Sequence, residues 1–411
     1  MADTLTSYPR NKIKILLLEN ISDAAVDELH SRGYSNVKRV SGALTESELI
    51  KAIKGVHLLG IRSKTQLTAR VIGAADKLLA AACFGIGVNQ IDLKATTRKG
   101  VAVFNAPHAN TRSVAELVIG LSVMLIRRIA DKNRAAHEGR WQKESKGSYE
   151  LRGKTLGIVG YGNIGSQVSA MAEAMGMHVV YYDIATKLPL GNAKQVRDLK
   201  ELLRQSNIVT LHVPSDPLTR NMINAETLKF MKRGSLLINY SRGDVVDLDA
   251  LRQALTSGRL GGAAIDVFPV EPERSGDPFS TVLQDLPNVI LTPHIGGSTE
   301  EAQANIGHDV VDKFIKYLEF GISEGSHTVP PVSLPPTTGT HRILHIHSNI
   351  PGILGKINSR LSKGGINISG QYLKTNEEIG YVILDVDSTI SKEAFEILRS
   401  IKGTIKARLV Y

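Results

Sequence analysis

A glycine-rich motif at the end of an apolar run constrains the fold of this chain more than any other feature. Residues 157–165 read GIVGYGNIG, which places Gly160, Gly162 and Gly165 between a predicted strand and a predicted helix. A purely structural turn would also use glycine. However, an acidic residue, Asp183, ends the next predicted strand roughly 20 residues later, as in dinucleotide-binding βαβ units. The pattern therefore predicts a Rossmann-type sheet with a dinucleotide site.

Each position of the motif has a physical reason. Gly160 permits the tight turn, Gly162 lets a pyrophosphate approach the backbone, and Gly165 lets the helix pack closely on the strand. The free N–H groups at the helix start, at Asn163 and Ile164, are expected to face the phosphates.

Asp183 predicts which dinucleotide binds. A carboxylate there accepts hydrogen bonds from the adenosine ribose hydroxyls and repels a 2′-phosphate, which favours NAD over NADP. Lys187 is a nearby cation that works in the opposite direction.

Length, charge and cysteine content limit the protein class. The 411 residues, 42% hydrophobic and 22% charged, suffice for two or three domains. The net charge of +10 is dispersed along the chain without a DNA-binding signature, so we expect a basic surface that steers an acidic substrate, with no nucleic-acid partner. One cysteine, Cys83, excludes an internal disulfide, and we expect no metal site. With no leader or membrane span recognisable, we expect a cytoplasmic protein with no membrane partner.

Alternating strand and helix patterns predict an α/β protein. A helix from Ser22 to about Arg32 closes at Gly33, and Thr45 with Glu48 forms a capping box for a second helix. Four apolar runs predict a first parallel sheet, at 13–18, 57–62, 78–84 and 101–105. A long helix follows, predicted to start at a capping box of Ser113 and Glu116 and to continue unbroken to residue 133. Six further strand candidates alternate with helices and match a dinucleotide-binding sheet.

The predicted domain order follows from these runs. A helix capped by Ser298 and Glu301 runs to about Phe320 and is predicted to return to the first domain, which would then be split in sequence. The proline- and threonine-rich stretch that follows lacks periodicity and is predicted to be a linker. The predicted boundaries are 1–109 and 297–328 for the substrate-binding domain, 110–296 for the NAD-binding domain, 329–340 for the linker and 341–411 for the last domain.

The last domain has the βαββαβ order of a ferredoxin-like fold. Strands are predicted at 342–347, 367–375, 379–387 and 404–411, with helices at 351–363 and 391–401. Pro351 is expected near the first helical position.

Three residues are candidates for acid–base and substrate-binding chemistry. Arg242, Glu271 and His294 each come just beyond the carboxyl end of a predicted strand, where open α/β sheets bind ligands. Taken singly, they could be a surface ion pair, a solvated charge and a turn cap. Their shared placement favours a site with three groups: a proton acceptor, a carboxylate that sets the pKa of this acceptor, and a cation that binds the carboxylate or carbonyl of the substrate.

The motifs together resemble the D-isomer-specific 2-hydroxyacid dehydrogenases. The resemblance extends over residues from about 10 to 325, and it is carried by four motifs: GIVGYGNIG, INYSRGDVVD, AAIDVFPVEP and LTPHIGGS. It implies a flavodoxin-like split substrate domain beside the Rossmann domain. In this family His294 would be the acid/base, Glu271 its paired carboxylate and Arg242 the substrate clamp. It further implies cofactor contacts at His212, Val213, Pro214, Ser241, Asp266 and Gly296.

Two further motifs, FNAPHANTRSVAELVIG and GIRSKT, resemble a narrower group within this family. Its members oxidise D-3-phosphoglycerate to 3-phosphohydroxypyruvate with NAD, which is the first step of phosphorylated serine biosynthesis. Substrate contacts are then expected from Arg62, Ser63, Asn110 and Arg242. Lys143, beside Trp141, is expected to close the site of a neighbouring subunit in a homo-oligomer, expected to be a tetramer.

HIHSNIPGIL and GGINISGQYL resemble the effector loops of ACT domains, with L-serine as the implied effector. His347, Asn349, Gly352 and Asn367 match the effector-binding positions. Two alternatives stay open: another 2-hydroxyacid dehydrogenase, acting on lactate, glyoxylate, hydroxypyruvate or 2-oxoglutarate, and an NAD-sensing co-repressor that uses the fold for interaction.

Overall fold

The computed structural model describes residues 8–272, 276–335 and 339–411. Its contacts divide the chain into two compact units. The first unit comprises the residues up to Ala109 together with Gln303–Tyr411, and the second comprises Asn110–Ala302. Residues 1–7, 273–275 and 336–338, which the predicted domains and linker included, lie outside the described residues. No helix within the described ranges is long and apolar enough to cross a membrane.

The first unit begins with a five-stranded parallel sheet of order β2-β1-β3-β4-β5, which is the flavodoxin-like order. Its strands are β1 Ile15–Leu17, β2 Val37–Arg39, β3 Leu58–Ile61, β4 Ala80–Cys83 and β5 Ala102–Asn105, and its helices are α1 Asp23–Ser31, α2 Glu46–Ala52, α3 Ala69–Ala74 and α4 Leu93–Arg98. The predicted capping box of Thr45 and Glu48 is present. Gly33, at φ +87°, ends α1 as predicted. The exposed strand β2 was not predicted.

The second unit contains a seven-stranded parallel sheet of order β12-β11-β10-β9-β6-β7-β8. Its elements are α5 Thr111–Ile126, α6 Ile129–His137, β6 Thr155–Val159, α7 Asn163–Ala174, β7 His178–Tyr182, β8 Lys194–Gln195, α8 Leu199–Gln205, β9 Ile208–Leu211, α9 Ala225–Leu228, β10 Ser235–Asn239, α10 Leu248–Thr256, β11 Leu260–Ile265 and β12 Val289–Leu291. The Rossmann prediction is confirmed. The strand count of six is corrected, because the short polar strand β8 extends the edge beside β7.

The long helix predicted after residue 113 is two helices. Arg128, at φ +55°, separates α5 from α6. Helix α5 also starts earlier than predicted, with Asn110 as its N-cap residue. The predicted capping box of Ser113 and Glu116 is therefore wrong. Ser113 lies within the helix and shares a hydrogen bond with Thr299, and Glu116 pairs with Arg112.

The chain returns to the first unit through α11, Glu300–Phe320. Its cap differs from the prediction, because the hydroxyl of Thr299 accepts from the N–H of Ala302, whereas Ser298 and Glu301 were expected to form a capping box. Within the first unit, α11 packs on α1: the hydroxyl of Ser22 donates to the carbonyl of Gln303, and an added Cβ at Gly307 would lie 3.1 Å from Ala25.

The C-terminal module is an antiparallel sheet of order β14-β15-β13-β16 with two helices, so the ferredoxin-like prediction is confirmed. Its elements are β13 Thr340–Ser348, α12 Ile353–Lys363, β14 Ile368–Thr375, β15 Ile379–Asp387, α13 Ser391–Arg399 and β16 Thr404–Val410. Pro351 precedes the N-cap residue Gly352 and does not occupy the first helical position.

The C-terminal module shares a hydrophobic core with the five-stranded sheet and α11. Leu344, Ile346 and Tyr381 lie in the same buried cluster as Phe104 and Phe314. Polar contacts join the same parts: the ammonium of Lys406 donates to the carbonyl of Leu78 at 2.6 Å, and the hydroxyl of Tyr381 donates to the carbonyl of Gly321 at 2.7 Å.

The described part of the predicted linker is packed. It has no regular secondary structure before Thr340, where β13 begins, but Val329 and Val332 are 1% and 2% exposed and belong to the shared core. Apolar valines in the proline-rich stretch account for this difference, because they have a core to enter.

Candidate active site

The glycine-rich turn has the geometry of a phosphate-binding turn. Gly160 has φ +92°, and an added Cβ there would lie 2.4 Å from the carbonyl oxygen of His212. A Cβ at Gly165 would lie 2.2 Å from the carbonyl oxygen of Gly160. A Cβ at Gly162, the N-cap of α7, would meet no protein atom within 4 Å. The protein itself therefore requires glycine at 160 and 165, whereas the space at 162 is left for a group outside the chain.

The helix that follows the turn supplies donors. Helix α7 starts at Asn163, no side-chain hydrogen bond caps its N-terminus, and Ile164 packs against the core below. A twelve-residue helix concentrates partial positive charge at this end, which suits a pyrophosphate.

Asp183 is held rigidly beside the turn. One carboxylate oxygen accepts from the N–H of Tyr161 at 2.9 Å and the other from the N–H of Ala185 at 2.9 Å. The loop after Asp183 is tied down as well, because the hydroxyl of Tyr181 donates to the carbonyl of Lys187 and the hydroxyl of Tyr161 accepts from the N–H of Leu190. This arrangement orients a negative charge next to the dinucleotide turn.

His212, Val213 and Pro214 follow strand β9 and form the opposite wall of the turn. The His212 carbonyl and the Val213 side chain are the atoms nearest to Gly160. The His212 ring shares a hydrogen bond with Thr210, and burial lowers the pKa of the imidazole to about 3, so this histidine is neutral. The carbonyl of Pro214 accepts from Thr219.

The candidate acid–base pair is formed. Nδ1 of His294 lies 2.8 Å from Oε2 of Glu271, and Oε1 of Glu271 accepts from the N–H of Phe268. The hydrogen bond with Glu271 raises the pKa of His294 against the opposing effect of burial. Burial raises the pKa of Glu271, but hydrogen bonds from His294 and Phe268 outweigh it and leave that pKa lowered. The His294 side chain is 52% exposed, so its ring remains accessible to a ligand.

Arg242 follows strand β10 at the same sheet edge. Its carbonyl accepts from the side chain of Asn239, and its own guanidinium donates to the carbonyl of Ser241 at 2.6 Å. Ser241 is fixed in turn, because its N–H and hydroxyl both donate to Asn239. Arg242 is near enough to His294 and Glu271 for its positive charge to lower the pKa of each. Sheet order thus brings together three residues that are far apart in sequence.

Asp266 binds the backbone of the loop that runs from His294 to Gly296. Asp266 is 1% exposed, and its carboxylate accepts from the N–H groups of Ile295 and Gly296, each at 2.8 Å. The carbonyl of Asp266 accepts from the N–H of His294. Three consecutive backbone donors of the histidine loop are therefore bound by one residue.

The expected substrate residues are divided between the units. Arg62 and Ser63 belong to the first unit, in the loop after β3, and Asn110 begins the second unit. Oδ1 of Asn110 is buried and has no hydrogen-bond partner. Lys143 and Trp141 lie in the segment after α6, where Lys143 is exposed and Trp141 is 86% exposed.

Glu19 holds the loop of Arg62 and Ser63, a role that the sequence did not predict. It is 8% exposed, and its carboxylate accepts from the N–H groups of Arg62, Lys64 and Thr65 at 2.8 to 3.0 Å. Gln90 adds a bond to the Arg62 carbonyl. A lone acidic residue after the first strand gives no sequence signal for this role.

The expected effector residues are divided between the two ends of the C-terminal sheet: His347, Asn349 and Gly352 lie at or just after the end of β13, beside residues 376–380, whereas Asn367 precedes β14 at the opposite end. Asn349 is exposed and donates to the carbonyl of Asn376 at 2.8 Å. Gly352 has φ +81° at the start of α12. Asn367 lines a surface cavity of about 430 Å³. His347 is buried at 0% exposure, its ring packed at Gly380. Within the described residues, no group of three or more metal-ligating side chains occurs.

Comparison with known proteins agrees with this geometry. Residues 119–296 match the family model of the D-isomer specific 2-hydroxyacid dehydrogenase NAD binding domain, and residues 343–406 match an AHAS small subunit-like ACT domain.

Two curated relatives are similar over the whole chain. The D-3-phosphoglycerate dehydrogenase of Haemophilus influenzae is 52% identical over 405 residues, covering 98% of this chain and 99% of the relative. The enzyme of the same name from Escherichia coli is 50% identical over 407 residues, with the same coverage. Among solved structures, the D-lactate dehydrogenase of Aquifex aeolicus, complexed with NAD and lactic acid, is 27% identical with a TM-score of 0.63, covering 74% of this chain and 95% of that one.

Proposed function

This chain belongs to the D-isomer-specific 2-hydroxyacid dehydrogenase family, and from that membership we propose that it oxidises D-3-phosphoglycerate to 3-phosphohydroxypyruvate with NAD. The reaction is the first step of phosphorylated serine biosynthesis. The observation that carries the proposal is the His294–Glu271 pair, 2.8 Å apart, in the same unit as Arg242 and the glycine-rich turn. Similarity over the whole chain, including the ACT domain, supports this substrate over lactate or glyoxylate.

The cofactor fits the residues present. In this proposal the N-terminus of α7 binds the pyrophosphate, Gly162 leaves room for it, and Asp183 binds the adenosine ribose. His212, Val213, Pro214, Ser241, Asp266 and Gly296 complete the cofactor contacts. When bound, NAD accepts the hydride from C2 of the substrate.

The side chains divide the remaining work. Arg242 binds the substrate carboxylate and the C2 oxygen, since a guanidinium offers a fork of donors that an ammonium does not. His294 removes the proton from the C2 hydroxyl. Glu271 stabilises the imidazolium that results and fixes the orientation of the ring, because its carboxylate is bound to Nδ1 and leaves Nε2 for the substrate. Arg62, Ser63 and Asn110 bind the remaining carboxylate and phosphate oxygens.

A substrate panel tests the proposal. NADH absorbance is followed with D-3-phosphoglycerate and with unphosphorylated D-glycerate, D-lactate and D-2-hydroxyglutarate. We expect kcat/KM to be highest for D-3-phosphoglycerate, and we expect NADP to replace NAD poorly. A higher kcat/KM for D-lactate or D-2-hydroxyglutarate would assign the chain to another reaction of the family.

The ACT domain supports control by a small amino acid, and we infer that L-serine is the ligand. Serine carries an ammonium and a carboxylate, and the side-chain amides of Asn349 and Asn367 offer both acceptors and donors. Because these two residues lie at opposite ends of the sheet, we propose that serine binds between Asn349 of one copy of the module and Asn367 of another. The burial of His347 gives it a supporting position in this proposal, with the two exposed asparagines making the direct contacts.

We also propose a cytoplasmic homotetramer in which Lys143 reaches the site of a neighbouring subunit. The exposed indole of Trp141 supports an interface in this segment, because tryptophan is enriched at protein–protein interfaces, where its large apolar surface is removed from water. Light scattering of the wild-type protein and of Trp141→Ala tests the assembly, with a smaller particle expected for the variant.

A further inference from the structure

Tyr240 lies between the strand residue Asn239 and the anchored Ser241, and none of the chemistry above uses it. It is 5% exposed, and burial raises the pKa of its phenol to about 12, so the hydroxyl remains protonated. The ring packs against the histidine loop, because an added Cβ at Gly296 would lie 2.9 Å from a Tyr240 ring carbon. A large polar side chain thus reaches from the strand of Arg242 to the loop of His294.

The hydroxyl of Tyr240 is the first donor of a chain of hydrogen bonds that has a defined direction. Its oxygen lies 2.5 Å from Oγ1 of Thr292, and Oγ1 of Thr292 donates to Oδ1 of Asp266 at 2.6 Å. A threonine hydroxyl has one proton, which goes to the carboxylate. Tyr240 must therefore donate to Thr292, and the chain runs from phenol to hydroxyl to carboxylate, where each bond polarises the next.

The carboxylate at the end of this chain holds the loop of the catalytic histidine. It binds the N–H groups of Ile295 and Gly296, while the carbonyl of Asp266 binds the N–H of His294. His294 has φ +54°, a conformation that a side chain with a Cβ rarely adopts without support. The Asp266 carboxylate thus holds the two residues that follow His294 in the turn, and the Asp266 carbonyl holds His294 itself.

We propose that Tyr240 is a positioning residue for the reaction, which fixes the Asp266 carboxylate through Thr292 and thereby holds His294 at Glu271. The inference rests on the proposed function for its kinetic consequence. The loop geometry itself does not depend on which substrate is used.

Tyr240→Phe keeps the ring against Gly296 and removes only the hydroxyl. We expect kcat to fall on the order of tenfold, as for loss of a hydrogen bond that supports a charged group, with KM for NAD nearly unchanged. The acid limb of the kcat/KM profile should move to lower pH, because a looser contact with Glu271 raises the His294 pKa less. A merely structural role would leave that limb in place.

Variants of Thr292 test the chain of hydrogen bonds from Tyr240 to Asp266. Thr292→Val should reproduce the effect, Thr292→Ser should restore most of kcat, and the double variant Tyr240→Phe/Thr292→Val should be no worse than Thr292→Val alone. Tyr34→Phe is the matched control, since it removes a buried tyrosine hydroxyl bonded to Glu319 in the first unit. We expect that variant to keep the wild-type pH profile.

Amide hydrogen exchange gives a readout without turnover. In Tyr240→Phe, peptides that cover residues 292–297 should exchange faster than in the wild type, while peptides elsewhere in the second unit are unchanged. Wild-type kcat with an unmoved acid limb in Tyr240→Phe overturns the proposal, as does unchanged exchange in the loop. If the wild type has no turnover with D-3-phosphoglycerate, the proposed function fails, and the exchange data still decide the role of Tyr240.

Discussion

His294 combines a reactive side chain with an unfavourable backbone conformation. A left-handed conformation costs a residue with a Cβ roughly 1–2 kcal/mol, which the surrounding hydrogen bonds must offset. The bonds from the N–H groups of His294, Ile295 and Gly296 to Asp266 supply that compensation. The turn directs the imidazole out of the sheet edge and onto Glu271, so the strained backbone has a chemical purpose.

Removal of the imidazole should abolish most turnover. We expect His294→Ala to lower kcat by about 100- to 10,000-fold, the usual contribution of a general acid/base. The affinity for NADH, measured by fluorescence titration, should be nearly unchanged because the ring acts on the substrate proton. His294→Asn is the control for the backbone, since asparagine tolerates the left-handed conformation and lacks a basic nitrogen. If His294→Asn were active, the acid–base role would be refuted.

The charge of Glu271 should set the pH profile. In Glu271→Gln the amide keeps the shape but loses the charge, so the pKa of His294, now raised by this partner, should fall. Oxidation requires neutral His294, so kcat/KM rises with pH through that pKa. We expect this acid limb to move to lower pH, with a lower maximum because the imidazolium is less stabilised. An acid limb that stays in place or moves to higher pH would contradict the pairing.

The break between α5 and α6 shows how a helix can end without glycine or proline. Arg128 takes a left-handed conformation at the junction and pairs with Asp131. Both carboxylate oxygens of Asp131 also accept from the N–H of Asn288, at 2.9 and 3.0 Å. Helix α6 is thus anchored on the turn before β12.

Loss of this anchor should destabilise the protein. Asp131→Ala leaves the N–H of Asn288, a residue only 3% exposed, without its acceptor, which should lower the free energy of unfolding by about 1–3 kcal/mol. Calorimetry should record a lower Tm. Glu138→Ala, just after the end of the same helix and paired with exposed Arg140, should change Tm little. Equal shifts for the two variants would argue against the anchor.

Sequence patterns predicted the elements with apolar periodicity and missed those without it. All three sheets and the split first domain are traceable to apolar runs. Strands β2 and β8 have only three and two residues, and their side chains are largely exposed, so no run marks them. Capping boxes were identified correctly at Thr45 and incorrectly at Ser113, because the same residue spacing also occurs inside helices.

The candidate site was predictable where chemistry dictates residue type. Glycine in a phosphate-binding turn and charged residues at strand ends have physical reasons visible in one sequence. The supporting residues have none: Glu19 binds three backbone donors, and Tyr240 acts through Thr292. Such contacts depend on which loops meet in three dimensions. From the sequence, Tyr240 is interpreted as an ordinary core residue, and only the structure shows what its hydroxyl binds.

At the scale of the whole molecule, Asn349 tests the inferred control by serine. Asn349→Ala should raise the serine concentration that half-inhibits turnover by about 10- to 150-fold, as for the loss of a hydrogen bond to a charged group worth about 1.5–3 kcal/mol, and should leave uninhibited kcat unchanged. Calorimetric titration of serine measures binding separately. Turnover that is indifferent to millimolar serine in the wild type, with no heat of binding, would refute control by this ligand and leave the dehydrogenase proposal untouched.

The shared core of the first unit gives the ACT domain a structural role. Phe314 and Phe104 belong to one apolar cluster with Leu344, Ile346 and Tyr381, so the domain shields a surface that the five-stranded sheet and α11 do not cover alone. A chain shortened before residue 340 would present that surface to water and tend to aggregate. The ACT domain could therefore not be lost by deletion alone. A descendant without its ligand-binding role would have to keep the domain as a cover, or replace the apolar residues beneath it by polar ones.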